Sequence, residues 1–571
     1  EARRSSLERH DFVLGSAERP GRPPTVLGRA YVTRVDAAAG AAGAAAVGLR
    51  TRGPLALPDW GDAPFTLRVD KDESGSSLSA ARGVLARLFA EDPRDAPDGD
   101  GALRRRRLRD LVVRLEAPTF DAALGAARLR EAVAGEGPAR ARRGGDGCAA
   151  AALGSAFAAL NGDQRRAAEL ALGARDYGLV LGMPGTGKTS TVEFVVRCFV
   201  AAGLRVLVAS YSHAAVDHLL EKLLDSGVSE RCVARVAAPS AAERVAPRLR
   251  GHVVGRPGFD SVPHIRGALQ AARVVGATCM ACAKGGVLAS ATDFDVAVVD
   301  EAGQIAQPYC LAPLLKAKTF VLVGDHHQLA PLVQSRLAAR DGAAESLFKR
   351  LADARPEAVA TLATQYRMSA PIMELCNAAL AGSGPDALVC GSAAVAARAL
   401  PLAPRAPGGP AWLAAADEPC AFVDVPPALA ARATGDGGRL GARNVAEARV
   451  VADLVADLLA RGCARDDVAV LSPFRAQLRE IGDALRRRGA ALEPHRLSTV
   501  DRFQGKDAAC VLVSFARADA SSGLLADPRR LNVALSRARR MLILVGAREA
   551  LASASPLFAR LVGAVPVVVA S

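Results

Sequence analysis

Short continuous apolar runs, each closing on a small or acidic residue and each followed by a segment with helical spacing, recur from residue 150 to about residue 350. They predict strands at Gly178–Leu181, Arg205–Ala209, Val233–Val236, Val274–Ala277, Val296–Val299 and Thr319–Val323. A strand that is apolar on both faces belongs in a sheet covered on both sides, and helical crossovers between successive strands make that sheet parallel. A second set follows. A helix opens at Asn444, with Glu447 three residues on as a capping pair, and strands are predicted at Val468–Leu471, Cys510–Phe515 and Met541–Val545.

The beginning of the chain has a different rhythm. Alternating segments at Thr25-Val26, Ala30–Val35 and Phe65–Val69, broken by glycine and proline, predict a small β-barrel or meander. Helical patterns at Leu78–Phe89 and Phe120–Val133 bracket a basic run, Arg104–Arg109, whose readings are a solvated helix face, a nuclear-import patch or a nucleic-acid contact. Arg142–Gly147 reads as a linker, and Ala381–Pro410, rich in alanine, glycine and proline, as a surface excursion. The expected fold class is α/β, with four parts: a barrel-like domain over 1–77, a helical stalk and linker over 78–147, and two α/β lobes over 148–355 and 356–571.

Composition narrows the class. Half of the 571 residues are hydrophobic, yet there is no uninterrupted apolar run of about eighteen residues, the length a membrane helix needs, and no secretory signal pattern. Lysine and arginine number 73 against 59 acidic residues, a formal charge of +14 that suits a polyanionic partner such as nucleic acid. A generally arginine-rich composition explains the same number, and charge alone leaves both readings open. The eleven scattered cysteines suit a reducing compartment, and the single CxxC, Cys279 and Cys282, reads as two buried thiols because no second pair or histidine stands at zinc-ligand spacing. The chain opens at Glu1 rather than methionine, so the expectation is a part of a longer protein.

The chemistry is carried by Gly182-Met183-Pro184-Gly185-Thr186-Gly187-Lys188-Thr189, which follows the apolar run Tyr177–Leu181 and precedes a helical pattern. Strand, glycine-rich loop and helix in this order form a phosphate-binding loop. The glycines let successive backbone N–H groups converge on phosphate oxygens, and the helix start adds its positive dipole end. Lys188 then reaches the β- and γ-phosphates of a nucleoside triphosphate, and the Thr189 hydroxyl ligates magnesium. The strand Val296–Val299 ends in Asp300 and Glu301: Asp300 is placed to hold Mg2+, Glu301 to orient and deprotonate the attacking water. The next strand leads into Gly324-Asp325-His326-His327-Gln328, where Gln328 can sense the γ-phosphate.

These motifs, together with Gln164, SYSHAAVD (Ser210 to Asp217), DEAGQ (Asp300 to Gln304), GDHHQL (Gly324 to Leu329), QYRM (Gln365 to Met368), VDRFQGKD (Val500 to Asp507) and NVALSRAR (Asn532 to Arg539), stand in the order and spacing of superfamily 1 helicases. The chain resembles the branch that includes the nonsense-mediated decay helicase and, more closely, the eukaryotic DNA replication helicase/nuclease family. FTLRVDKDE and LRDLVVRLEAPTF are similar to that family's barrel and stalk. The resemblance implies two tandem RecA-like phosphate-loop domains with an N-terminal small β-barrel and helical stalk. It also implies an ATP-dependent 5′ to 3′ helicase on single-stranded and forked DNA, acting in Okazaki-fragment processing and repair, in the nucleus and in some members the mitochondrion, with a single-strand-binding protein as partner.

The resemblance assigns roles at matching positions. Gln164 would hydrogen-bond adenine, Tyr366 would stack on it, and Asp507 would belong to the nucleotide site. Arg367 and Arg537 would act as arginine fingers on the γ-phosphate. Strand contacts would come from Ser212, His213, Thr278, Pro473, Phe474, Arg475, Thr499 and Arg502. Gly303, His218, Phe503 and Ser536 depart from the family's usual Ser, Asn, Tyr and Thr, and none of these removes a phosphate, metal or finger group. Gly303 is expected to loosen the coupling of hydrolysis to movement. The first cysteine is Cys148, so residues 1–147 hold no four-cysteine iron–sulfur site, and the family's nuclease domain is expected upstream. An RNA helicase of the decay or termination type, and an ATPase-inactive nucleic-acid scaffold, are the alternative functions.

Overall fold

The computed structural model describes residues 12–18, 25–36, 46–51, 66–71, 73–89, 100–134, 150–254, 261–290, 293–333, 335–380, 387–426, 442–516 and 527–570. Its strands number β1 (Phe12–Glu18), β2 (Thr25–Asp36), β3 (Ala46–Thr51) and β4 (Thr66–Lys71) in an antiparallel sheet of order β3-β2-β1-β4. This sheet stands where the barrel is expected, and closure into a barrel is not seen among the described residues. The alternation reading missed β1 and β3 and split β2. Glycine and alanine interrupt the alternation in β1, and β3 begins inside an alanine-rich stretch whose composition hides it. The expected linker at Arg142–Gly147 lies outside the described residues.

The first lobe is built on β5 (Tyr177–Gly182), β6 (Val206–Ser210), β7 (Val233–Val236), β8 (Val253–Val254), β9 (Val274–Thr278), β10 (Phe294–Val299), β11 (Ala317–Gly324) and β12 (Val359–Leu362). Their order is β12-β5-β11-β10-β6-β9-β7-β8 and every pairing is parallel. β5, β6 and β9 are buried along their whole length, as continuous apolar runs require. All six predicted strands are present. The pairing of β12 with β5 carries the first lobe to Leu362, past the boundary expected at residue 355. Val-Ala-Thr-Leu, following Pro356, is too short a run to announce itself.

Beyond the small parallel pair β13 (Thr364–Gln365) and β14 (Val389–Cys390), the second lobe contains β15 (Cys420–Asp424), β16 (Val468–Leu471), β17 (Leu497–Ser498), β18 (Ala508–Ser514), β19 (Ala538–Gly546) and β20 (Val567–Val569). It too is entirely parallel, in the order β17-β16-β18-β19-β15-β20. In a parallel sheet every strand delivers its following loop to the same edge, and ligands collect there. Each lobe therefore presents one edge of loops that can hold a phosphate chain or a strand.

The stalk helices are Glu73–Phe89, Asp100–Val112 and Ala122–Ala134. The basic run lies on the second of them, and much of it grips the first lobe. Arg107 donates to both carboxylate oxygens of Asp176, at 3.0 and 2.7 Å, and Arg104 pairs with Asp293. Asp176 also accepts from the Thr119 amide (2.8 Å) and hydroxyl (2.6 Å). Leu108, Leu111 and Val112 bury against the same core as Tyr177 and Phe320. Burial pushes the Asp176 carboxyl up, but the hydrogen bonds from Arg107 and Thr119 outweigh it and hold the pKa below the usual carboxylate range.

In the second lobe Asn444 caps the helix Val445–Ala460, accepting from the Glu447 amide at 3.1 Å. The Glu447 carboxylate turns inward and accepts from Asn444 Nδ2 (3.1 Å), Ser514 Oγ (2.7 Å) and the Ala516 amide (2.9 Å). Burial raises its pKa to about 7 against the pull of those three donors.

Replacing Asp176 with alanine removes four hydrogen bonds, two of them from a guanidinium. It is expected to loosen the stalk by on the order of 2–3 kcal/mol, read as faster hydrogen exchange over 100–134 with the second lobe unchanged. For Glu447 the folded pKa lies above the unfolded value of about 4.3. Its contribution is therefore full below that value and lost as pH rises through about 7. Denaturant unfolding is expected to lose stability between about pH 4.3 and 7 in the wild type, with that part of the loss missing in Glu447→Gln.

Candidate nucleotide and nucleic-acid site

β5 ends at Gly182, and the helix Lys188–Ala201 begins after Gly187, which lies at φ +80°. Two approaches explain why the loop needs glycine. A Cβ on Gly185, at φ +77°, would come 2.6 Å from Arg367 Cβ, and one on Gly187 would come 2.6 Å from Gln164 Nε2. The Thr186 hydroxyl donates to the Met183 carbonyl at 2.8 Å, closing the turn. Lys188 Nζ donates to the Gly182 carbonyl, which lays the ammonium across the mouth of the loop, and half-buried Thr189 follows in the first helical turn. The Met183 side chain belongs to the hydrophobic cluster of the second lobe, together with Met368 and Ile372.

β10 lies beside β6 and β11, so Asp300 and Glu301 emerge at the centre of the sheet's loop edge. Asp300 is 8% exposed, and its carboxylate accepts from the Glu301 amide at 2.8 Å. Burial and the adjacent Glu301 raise the Asp300 carboxyl to about 7, opposed by that amide and by Lys188. Glu301 adopts the left-handed region, φ 55° and ψ 34°, which is costly for a residue with a side chain and concentrates at functional sites. Gln304 Nε2 holds its Oε2 at 2.8 Å. Gln328 is buried and donates to Asp325 Oδ2 at 2.6 Å. Gly303 has a packing reason. A Cβ there would meet the Asp325 carbonyl oxygen at 2.7 Å, so glycine lets the two acidic loops touch.

The second lobe contributes arginines. Arg367 Nη1 donates to the Ser536 carbonyl at 3.1 Å, and its Nε stands 3.3 Å from Asp507. Arg537, 2% exposed, donates to the carbonyls of Val533 (2.8 Å) and Lys506 (3.2 Å) and to Ser536 Oγ (2.8 Å). Burial and then Arg367 push its pKa down to about 9, while Glu301 and Asp507 oppose them. Burial likewise lowers the pKa of Arg367, against Asp507. Asp507 faces these cations, with Arg539 3.6 Å from its other oxygen. In this structure it pairs with arginines of its own lobe. Arg539 is a member of the cluster that motif spacing did not single out.

Gln164 stands directly against the phosphate loop. Its Oε1 accepts from the Asn161 amide at 3.1 Å and its Nε2 donates to the Thr186 carbonyl at 3.1 Å, so it braces the phosphate loop. Tyr366, 37% exposed, accepts from Asn161 Nδ2 at 2.8 Å, while its backbone N–H donates to the Gly185 carbonyl at 2.8 Å. The segment expected as a surface excursion supports this ring: Gly391 lies against its face, and Arg398 donates to the carbonyls of Tyr366 (2.7 Å) and Arg367 (3.0 Å). Asp163 is a further tie that the sequence did not reveal, accepting from the amides of Ala363 (3.2 Å) and Thr364 (3.0 Å).

Of the expected strand contacts, Ser212 and His213 start the helix His213–Asp225 at the loop edge of β6, with Arg475 and Arg502 exposed and Pro473 and Thr499 half-buried on the second lobe. Thr278 and Phe474 do not face outward. Thr278 is 5% exposed and caps a helix through the Ala281 amide, and Phe474 is 3% exposed within the lobe. Tyr211, 61% exposed beside Ser212, is the aromatic that sequence reading passed over. Its signal was an aromatic directly after an apolar strand. Cys279 and Cys282 are buried free thiols, as expected. Among the described residues no group of three or more His, Cys, Asp or Glu could hold a metal, and no helix is long and apolar enough to cross a membrane.

Two AAA domain models match the chain, one over residues 159–256 and 262–336 and the other over 343–549. The DNA replication ATP-dependent helicase/nuclease JHS1 of Arabidopsis thaliana is 36% identical over 85% of this chain and 33% of its own length. The mouse and human DNA replication ATP-dependent helicase/nucleases DNA2 are each 34% identical, over 97% and 86% of this chain and 49% and 44% of their own lengths. The chain thus spans between a third and a half of these relatives. Among solved structures, an arterivirus nonstructural protein 10 helicase with DNA aligns over 67% of this chain and 62% of its own at 16% identity and TM-score 0.34. On the two AAA domains, which together span most of the chain, it belongs to the AAA-domain proteins, and over most of its own length it is similar to the DNA replication ATP-dependent helicase/nucleases.

Proposed function

We propose that this chain is an ATP-driven motor that moves 5′ to 3′ along single-stranded DNA and opens forked duplexes during replication and repair in the nucleus, with a single-strand-binding protein as partner. The observation that carries the reading is the opposition of charges across the cleft between the lobes. Asp300 and Glu301, with Lys188, lie on one side, and Arg367 and Arg537, close enough to feel Glu301, on the other. A buried guanidinium, Arg537, and a half-buried one, Arg367, whose charges are disfavoured by partial or full loss of solvent, gain most from an added polyanion, which the γ-phosphate of ATP supplies.

Lys188 and the loop amides hold the β- and γ-phosphates. Thr189 and Asp300 are the residues that would hold Mg2+, and their chemistry fits. Mg2+ is commonly held by one or two protein oxygens together with phosphates and water, and a buried carboxyl raised to about 7 is stabilised as the anion by a cation. When bound, that ion neutralises charge on the β- and γ-oxygens. Glu301 orients the attacking water and accepts its proton, Gln328 reads the γ-phosphate from the neighbouring loop, and Tyr366 stacks on the base. Arg367 and Arg537 neutralise charge spreading over the transferred phosphoryl only when the lobes are closed, which couples hydrolysis to lobe movement. A strand lying across Tyr211, Ser212 and His213 and then Arg475, Thr499 and Arg502 is carried by that movement. The contacts are to backbone and stacked bases, so sequence preference is weak. The nuclease in the relatives' name has no metal-binding candidate among the described residues.

Steady-state ATP hydrolysis is expected to rise strongly with single-stranded DNA and less with RNA of matched length, and to vanish in Lys188→Ala. Stimulation by RNA at or above that by DNA would identify an RNA helicase, and no turnover with any polymer a scaffold. Glu301→Gln is expected to bind ATP and to lose turnover by about a thousandfold or more, measured as single-turnover hydrolysis against nucleotide affinity. Asp507→Asn should leave nucleotide affinity near wild type and lower kcat on the order of tenfold, equivalent to about 1.4 kcal/mol, by misaligning Arg367. An equal loss of affinity would place Asp507 on the nucleotide instead.

A further inference from the structure

Arg235 on β7 is, like Arg537, among the largest fully buried side chains of the described residues, and it has no exposed surface. Its Nε donates to Asp217 Oδ1 at 2.7 Å, and its Nη1 to the carbonyls of Val236 (2.8 Å) and Gly276 (3.4 Å). Its Nη2 stands 3.0 Å from Nδ1 of His213. The second oxygen of Asp217 accepts from the Ala246 amide at 2.9 Å. A buried ion pair is a poor way to stabilise a lobe, because desolvation offsets most of its attraction and apolar residues would serve a buried strand as well. This pair does something that apolar residues cannot.

A guanidinium has donors and no acceptor, so the nitrogen it addresses on His213 must be the acceptor. Nδ1 is therefore unprotonated, and the one ring proton resides on Nε2. A doubly protonated imidazolium would set donor against donor at 3.0 Å. The charged groups facing the ring agree: burial, Arg235 and Arg244 lower its pKa, and only Asp217 opposes them. Gly276 makes the arrangement possible. A Cβ there would meet Leu220 Cδ1 at 2.6 Å and Val216 Cγ1 at 3.0 Å, so glycine lets the helix His213–Asp225 settle onto β9 and carry both Asp217 and His213 to Arg235.

We propose that Arg235 is a positioning residue that keeps His213 neutral and commits its Nε2–H as an uncharged hydrogen-bond donor to a phosphate oxygen of the bound strand. The proposal rests on the reading of His213 as a strand contact. Its consequence is specific: a neutral donor contributes affinity without releasing a counterion, whereas a cation on a single strand adds about 0.7 to the slope of log K against log salt concentration.

Binding of a fluorescent oligo-dT to the full chain across a salt series, at about pH 6 and pH 8, tests this. His213→Asn is expected to weaken binding severalfold at both pH values with the slope unchanged, while Arg502→Gln lowers the slope by about 0.7. Replacing the buried pair together, Asp217→Asn with Arg235→Gln, avoids stranding a lone charge. It should let His213 protonate against the strand, so that the slope at pH 6 exceeds that at pH 8 by up to about 0.7, and adding His213→Asn should abolish that excess. A slope that falls in His213→Asn alone, or a folded double variant without the pH-dependent slope, overturns the proposal. Histidine-selective 15N spectra, assigned by His213→Asn, separate the two readings. An Nε2–H tautomer beside an unchanged His213→Asn affinity sinks the strand contact and leaves the Arg235 assignment standing, whereas an Nδ1–H tautomer sinks the assignment itself.

Discussion

One backbone hydrogen bond, from the Tyr366 amide to the Gly185 carbonyl, joins the phosphate loop to the segment that carries Arg367. It can form only because Gly185 has no side chain and can hold a positive φ, since a Cβ there would overlap that of Arg367. Around it, Met183 leaves the loop to fill the second lobe's core, Asp163 holds the crossing chain at Ala363 and Thr364, and Asn532 reaches the His327 carbonyl at 3.0 Å. The loop that would bind phosphate is thus also a point of contact between the lobes. Any change in how the loop sits is felt directly by the arginines opposite.

The electrostatics of the cleft explain why such a contact is needed. Each side sets a buried charge beside a half-buried one of the same sign: Asp300 with Glu301, and Arg537 with Arg367. Neither pair is made comfortable within its own lobe. Asp507 compensates the arginines only in part, being shared with Arg539. Each pair is disfavoured by its own lobe and relieved by what the cleft can hold, so the free energy of nucleotide binding and of lobe closure are drawn from the same source. This is electrostatic preorganisation, in which the cost of assembling the charges is met during folding and not at the moment of reaction.

Much of this was legible in the sequence because two signals reinforce each other. Continuous apolar runs identified the six central strands of the first lobe, and glycine and acidic residues at their ends identified the phosphate loop and Asp300 with Glu301. What escaped was information held in tertiary contacts. β12 is four residues long and owes its place to β5. Gln164 and Asp507 were placed on the nucleotide by resemblance, and the motifs did not reveal their side-chain contacts to the loop and to the arginines. Thr278 and Phe474 are buried, which a motif cannot reveal because spacing fixes a residue's position along the chain and not the direction of its side chain. The segment after Ala387 resembles a loose excursion in composition, yet Gly391 and Arg398 make it the backing of Tyr366.

The two lobes also differ in the physics by which they would hold a strand. The first offers Ser212, whose hydroxyl caps its own helix through the Ala215 amide and keeps its proton to donate, and His213, held neutral by Arg235. The second offers the exposed cations Arg475 and Arg502. Neutral donors act only at hydrogen-bond distance and in one geometry, while cations attract phosphates over roughly a Debye length and tolerate misregister. A strand sliding by one nucleotide therefore loses its grip on the first lobe abruptly and on the second gradually. That asymmetry lets one lobe release while the other retains. The proposed motor, alternating its grip, would require such a difference, and a buried arginine far from the strand would supply it.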